Sequence, residues 1–95
     1  MTDEERERSV ASARAATGIL RAGHSGDAHG LLLRFDRLDA ATSASEEWAA
    51  QQDLDAFMRD LRTRLRMLYR VEPNNGQKAT LRKALRLLGD LWVTM

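Results

Sequence analysis

Apolar residues recur at helical spacing in four successive stretches of this chain, separated by short polar or glycine-bearing breaks. In the first stretch Val10, Ala13, Thr17 and Leu20 repeat at the spacing of a packed seam. The face is thin, because Val10 is the only large apolar residue between Thr2 and Gly18. Thr2 followed by Glu5 fits a capping box, and Asp3, Glu4 and Glu5 crowd the positive end of a helix predicted over about 2–21. Burial is worth roughly 0.8 kcal/mol per methylene, so a helix this poor in large side chains depends on docking against its neighbours. Gly23, His24, Ser25 and Gly26 mark the break before a second helix, over about 27–41. There Leu31, Phe35 and Leu38 share one face, and Leu32 and Leu33 widen it. So wide a stripe suits a central helix or one shared with another chain.

The third stretch carries the strongest pattern. Ser43 with Glu46 forms its capping box, Pro73 stops it, and a helix is expected over about 44–71. Leu54, Phe57, Met58, Leu61, Leu65 and Leu68 keep the stripe for four turns of a helix roughly 40 Å long. Pro73, Asn74, Asn75 and Gly76 then make a tight turn, with Asn74 or Asn75 capping a fourth helix over about 75–93. Its inner face reads Leu81, Ala84, Leu85, Leu88, Leu91 and Trp92. Short connections between amphipathic helices make antiparallel neighbours. The expected fold is therefore all-α: one domain, a compact bundle of three to four helices, with helices 3 and 4 forming a long antiparallel hairpin. Leu54, Phe57, Leu61, Leu65, Leu68, Leu81, Leu85, Leu88 and Trp92 are the expected core.

Composition agrees with this reading: 14 leucines and one proline favour helix over sheet. Apolar runs such as Leu31, Leu32 and Leu33 are far too short to cross a bilayer. The acidic start, Asp3-Glu4-Glu5-Arg6-Glu7, is the reverse of a secretory leader and points to a cytoplasmic protein. No cysteine is present, which excludes disulfides, thiolate catalysis and Cys-ligated zinc.

Charge changes the picture more. The formal balance of +1 hides two halves: residues 1–58 hold 6 Lys+Arg and 11 Asp+Glu, a net −5, while residues 59–95 hold 9 and 3, a net +6. On the third helix Arg59, Arg62, Arg66 and Arg70 fall within roughly 80° of one another beside the leucine stripe. On the fourth, Lys78, Arg82 and Arg86 recur every fourth residue, with Lys83 adjacent. Such rows fit successive phosphates of a nucleic acid, or an acidic protein. The competing reading pairs them internally with Asp3, Glu4, Glu5, Glu7, Asp36 and Asp39. Trp48 projects into the arginine sector, so it is either a docking surface or a first-turn residue packed onto the second helix. The cost of exposing a large aromatic favours packing. Leu91, Trp92, Val93 and Met95 stay apolar, and with the wide second helix they imply more apolar surface than one small bundle covers. Trp48, Leu91 and Trp92 are accordingly candidate partner contacts, in a homo-oligomer or a larger complex.

Candidate chemistry is sparse. His24 and His29 are five apart, which misses the i, i+3 or i+4 spacing that aims two ligands at one metal. Glu46 and Glu47 are explained by capping, and Asp53 and Asp55 are expected on a solvated side. Gly23-His24-Ser25-Gly26 has no following Lys-Ser/Thr and is no phosphate loop. The C-terminal stretch resembles a cationic peptide that lies on membranes, but leucine faces on the other helices favour a core position for it. No cofactor, metal or membrane is expected. The sequence points to a non-enzymatic assembly subunit contacting nucleic acid through both basic rows. The alternative is a protein-binding module, such as an inhibitor, antitoxin or scaffold, that uses apolar helix faces alone.

Overall fold

The computed structural model describes residues 3–90, and every regular element in it is a helix: α1 (Asp3–Leu20), α2 (Ser25–Ala40), α3 (Ala44–Val71) and α4 (Asn75–Leu87). The all-α bundle expected from the pattern is the observed fold.

Local side-chain chemistry sets the boundaries. At the start of α3, Ser43 Oγ accepts from the Glu46 N–H at 3.1 Å. The Glu46 carboxylate reaches back past the cap to Thr42, accepting from its N–H at 2.9 Å and its hydroxyl at 3.0 Å. This is a capping box displaced by one residue, and the two Thr42 donors hold the Glu46 carboxyl below its ordinary value. Asn74, rather than Asn75, caps α4, its Oδ1 accepting from the Gln77 N–H at 2.9 Å.

Two boundaries differ from expectation. His24 takes the N-cap position of α2, and its own N–H is spent on Leu20 O at 2.7 Å, so Ser25 and Gly26 are already helical. More consequentially, α4 stops at Leu87, short of 93. Gly89 adopts φ +82°, its N–H donates to Arg86 O at 3.0 Å, and the Asp90 N–H donates to Leu85 O at 3.0 Å. That pair of bonds is a Schellman closure, which needs a residue free to take the left-handed conformation. The expected cap at Thr2, and residues 91–93 of the expected fourth helix, lie outside the described residues.

Connections spanning only 21–24, 41–43 and 72–74 force an up-down-up-down course. Each helix packs on two others, α1 on α2, α2 on α3, α3 on α4 and α4 back on α1, while the diagonal pairs stay apart in the described residues. Leu20, Leu31, Phe35, Leu54, Leu61, Leu65 and Leu85 are the large side chains fully withdrawn from solvent at the centre. The thin face of α1 turns inward as Ala13, Ala16, Thr17 and Leu20, and the Thr17 hydroxyl is satisfied by donating to Arg14 O at 2.6 Å. Of the expected core, Leu54, Leu61, Leu65, Leu81, Leu85 and Leu88 are buried, and Trp92 lies outside the described residues. Phe57 is only partly buried, and Leu68 is 42% exposed. Leu68 lies on the stripe, but it borders an open depression lined with Ile19, Ala22, Gly23 and Thr80 instead of being packed over.

The α2–α3 seam is the tightest approach involving a glycine. A Cβ on Gly30 would lie 2.5 Å from Phe57 Cζ. The Arg34 guanidinium stacks on that ring at 4.0 Å from its centroid, and also donates to Gly30 O at 3.0 Å.

Gly30→Ala should therefore destabilise the protein by about 1–2 kcal/mol despite alanine's better helix propensity, because the ring must move. Gly18→Ala, inside α1 with nothing within 4 Å of the new methyl, should stabilise by about 0.5–1 kcal/mol; urea midpoints of the two variants test the contrast. The Glu46 carboxyl has a lowered folded pKa, so its support of the α3 cap is complete above the ordinary value of 4.5. That support is lost as pH falls through the lowered value. The Thr42 amide resonance should follow this titration in wild type, and show no such step in Glu46→Ala.

Candidate anion-binding surface

The basic residues of the second half divide into two groups with different work. On α3, Arg66 Nε donates to Asp90 Oδ2 at 2.7 Å, and the Asp90 side chain is almost wholly buried. Arg62 Nη1 donates to Leu88 O at 3.1 Å. These two arginines therefore clamp the Schellman end of α4 from below, one through a carboxylate and one through a carbonyl orphaned by the helix terminus. Arg59 and Arg70 are exposed to either side of them. The row read as one ridge is thus half structural.

On α4 the arrangement differs. Arg82, Lys83 and Arg86 are exposed, and none of their side chains makes an ion pair or hydrogen bond among the described residues. Lys78, at the edge of the same face, is half-buried with its ammonium 5.0 Å from the centre of the Tyr69 ring. Tyr69, on the α4 side of α3, joins Asn75, Lys78 and Arg82 in lining a shallow depression there. Lys78, Arg82 and Arg86 repeat about 6 Å apart along the axis, held by a helix whose other face is core.

Of the carboxylates considered as internal partners for these rows, Asp39 goes to an arginine of the first half instead. Arg14 takes Asp39 through Nη2, at 2.9 and 2.7 Å to the two carboxylate oxygens, and its guanidinium lies 4.7 Å from the centre of the Phe35 ring. Arg34 and Arg37 share Asp53 at 3.6 and 3.2 Å, and Arg6 faces Glu47 at 3.8 Å. The acidic half is in this way partly neutralised by its own arginines. Arg64 with Asp27, at 2.9 Å, joins the two halves. Asp53, expected on a solvated side, is instead the clasp between α2 and α3, and Asp55 accepts from Gln51 Nε2 at 2.9 Å.

Trp48 does not pack on α2. It is 66% exposed on the flank of α3 that α4 occupies further along, where it lines a groove with Arg6, Val10 and Met58. Leu33, Met67, Leu68 and Val71 are further exposed apolar side chains, the last three clustered on the final turns of α3. Leu91 and Trp92 lie outside the described residues. His24 sits at the N-cap of α2 and His29 is exposed, and no group of three or more His, Asp or Glu among the described residues is placed to hold a metal. No helix among the described residues is long and apolar enough to cross a membrane.

Sequence reasoning noted Lys83 but omitted Tyr69 and Asp90. Tyr69 shares the sector of Arg62 and Arg66 on a helical wheel, and Asp90 follows a glycine that can end a helix, so both had a legible signal. Comparison of the chain with protein-family models, with curated proteins and with solved structures gave no match.

The division of labour is testable on stability alone. Asp90→Ala removes the carboxylate from a buried pair and should cost about 2 kcal/mol, moderated because Arg66 keeps some access to water. Arg66→Ala, which takes the guanidinium away from the buried Asp90 carboxylate, should cost at least as much. Arg82→Ala and Arg86→Ala should stay within about 0.5 kcal/mol of wild type, as thermal or urea unfolding will report.

Proposed function

We propose that this protein is a non-enzymatic helical binding subunit that engages a polyanion, in the first place the phosphate backbone of a nucleic acid, through the outer face of α4. The observation that carries this reading is that Arg82, Lys83 and Arg86 project from one face with no carboxylate answering them among the described residues, although carboxylates are abundant elsewhere. Cations fixed on a rigid helix lose little entropy on meeting phosphates, and counterion release drives the association. Tyr69 adds an aromatic ring at the edge of the same face, suited to stacking against a base. Arg59 and Arg70 would extend the surface along α3. Arg62 and Arg66 belong to its support rather than to its binding area, since their guanidinium groups are engaged by Leu88 O and Asp90.

A second reading rests on a separate observation. Met67, Leu68 and Val71 form an exposed apolar cluster at the end of α3, suited to docking another protein with no nucleic acid involved. In that case the α4 face would meet an acidic protein or only solvent.

Fluorescence anisotropy of labelled single-stranded and duplex oligonucleotides separates the two. Binding that persists near physiological salt is expected, and Arg82→Ala with Arg86→Ala should weaken it and reduce the salt slope by roughly 0.9 for each duplex phosphate that is no longer neutralised. Absence of binding at low salt, or binding indifferent to these substitutions, would remove the nucleic-acid reading and leave the apolar cluster as the site to follow.

A further inference from the structure

We propose that the apolar cluster at the end of α3 docks into the trough beside Trp48 of a second copy of this chain, so that copies stack head to tail. Both patches arise because α3 outruns its neighbours. Helix α4 ends at Leu87 with Leu88 O already on Arg62, so the flank of α3 from Met58 back to Ala44 has no α4 beside it. An open trough of about 510 Å³ lies there, with Val10 and Met58 as apolar walls and the exposed Trp48 as an aromatic one. At the other end α2 begins at Ser25 with Asp27 already on Arg64, so the exposed Met67, Leu68 and Val71 stand past its start. The two gaps thus fall at opposite ends of one helix, one on its α4 flank and one on its α2 flank.

Charge selects how copies can bury these patches. The split of −5 and +6 along the sequence is also a split in space, because the charges of the first half that lie at the cluster end, Arg21 and Asp27, cancel. Glu47 and Asp55 line the trough, and Asp3, Glu4 and Glu7 lie at the same end. Arg64 and Arg70 bracket the cluster on α3. Trough against trough would press two acidic ends together, and cluster against cluster two basic ones. Cluster into trough joins opposite signs and withdraws both apolar patches from water in a single contact. Met67 and Val71 are about 6 Å apart along the axis and Trp48 about 15 Å from Met58, so the trough is long enough to receive the cluster. Trp48 and Val71 point roughly 140° apart around α3, so one partner cannot seat both patches at once. The contact is therefore heterologous, and each copy keeps a patch free for the next. Neither patch contains Arg82, Lys83 or Arg86, so stacking stands or falls separately from the polyanion reading.

Sedimentation of the full chain at low salt, over a range of concentrations, tests this. The weight-average mass should climb past that of two chains. Trp48→Lys spoils the trough and Val71→Asp the cluster, and at 66% and 75% exposure both positions should tolerate the change without unfolding. Each variant alone should stay a monomer. Mixed, they should pair one to one and grow no further, since one supplies an intact cluster and the other an intact trough. A wild-type mass that stays at one chain up to about 1 mM would overturn the proposal. So would a wild type that stops at two chains, variants that associate unmixed as the wild type does, or a mixture of the two that remains monomeric.

Discussion

Everything in this bundle is organised around one face of α3, the stripe of Leu54, Met58, Leu61 and Leu65, because no other helix is long enough to touch both ends of the molecule. On one flank of that stripe α2 is drawn in until Gly30 meets the Phe57 ring, and Arg34, Arg37 and Asp53 close the seam above it. On the other flank Tyr69, Arg66 and Arg62 receive α4. Helix α1 completes the ring with alanines, which let it approach two neighbours at once but bury little area in doing so. The stability of α1 is consequently borrowed from the helices it lies against.

The same arrangement decides what the charge asymmetry means. Arginines in an apolar-rich chain have to be placed as carefully as leucines, because a guanidinium near the core needs an acceptor. Arg14, Arg34 and Arg66 are so placed, each joining two segments through a carboxylate. What remains after these assignments is the group on α4, whose outer face meets no carboxylate among the described residues. Its charge is therefore available to the surroundings, and the formal near-neutrality of the chain conceals a local field.

Helix identity, order and most of the central residues were legible in the sequence, because leucine periodicity on α3 and α4 and the Ser43 and Asn74 caps are signals of local physics. What local physics could not supply was the answer to which flank of each helix meets a neighbour. Leu68 belongs to the stripe yet borders an open depression, and Trp48 falls on a flank that α4 does not reach. The basic rows are visible as rows, but their division into clamp and free face follows from where α4 ends. The leucine repeat points past that end, although Gly89, a glycine directly after the buried Leu88, is itself a stop signal that outweighs it.

The ring of contacts has a further consequence for how the molecule assembles. Three of its four interfaces join helices adjacent in sequence, and such contacts form quickly because the loops to be closed are short. The fourth, between α1 and α4, is the exception: it spans nearly the whole chain and is built on the smallest side chains. Ring closure, which needs the longest loop, is thus the slowest step of folding. A state with α1 parted from α4 while still lying on α2 is the natural first opening of this topology.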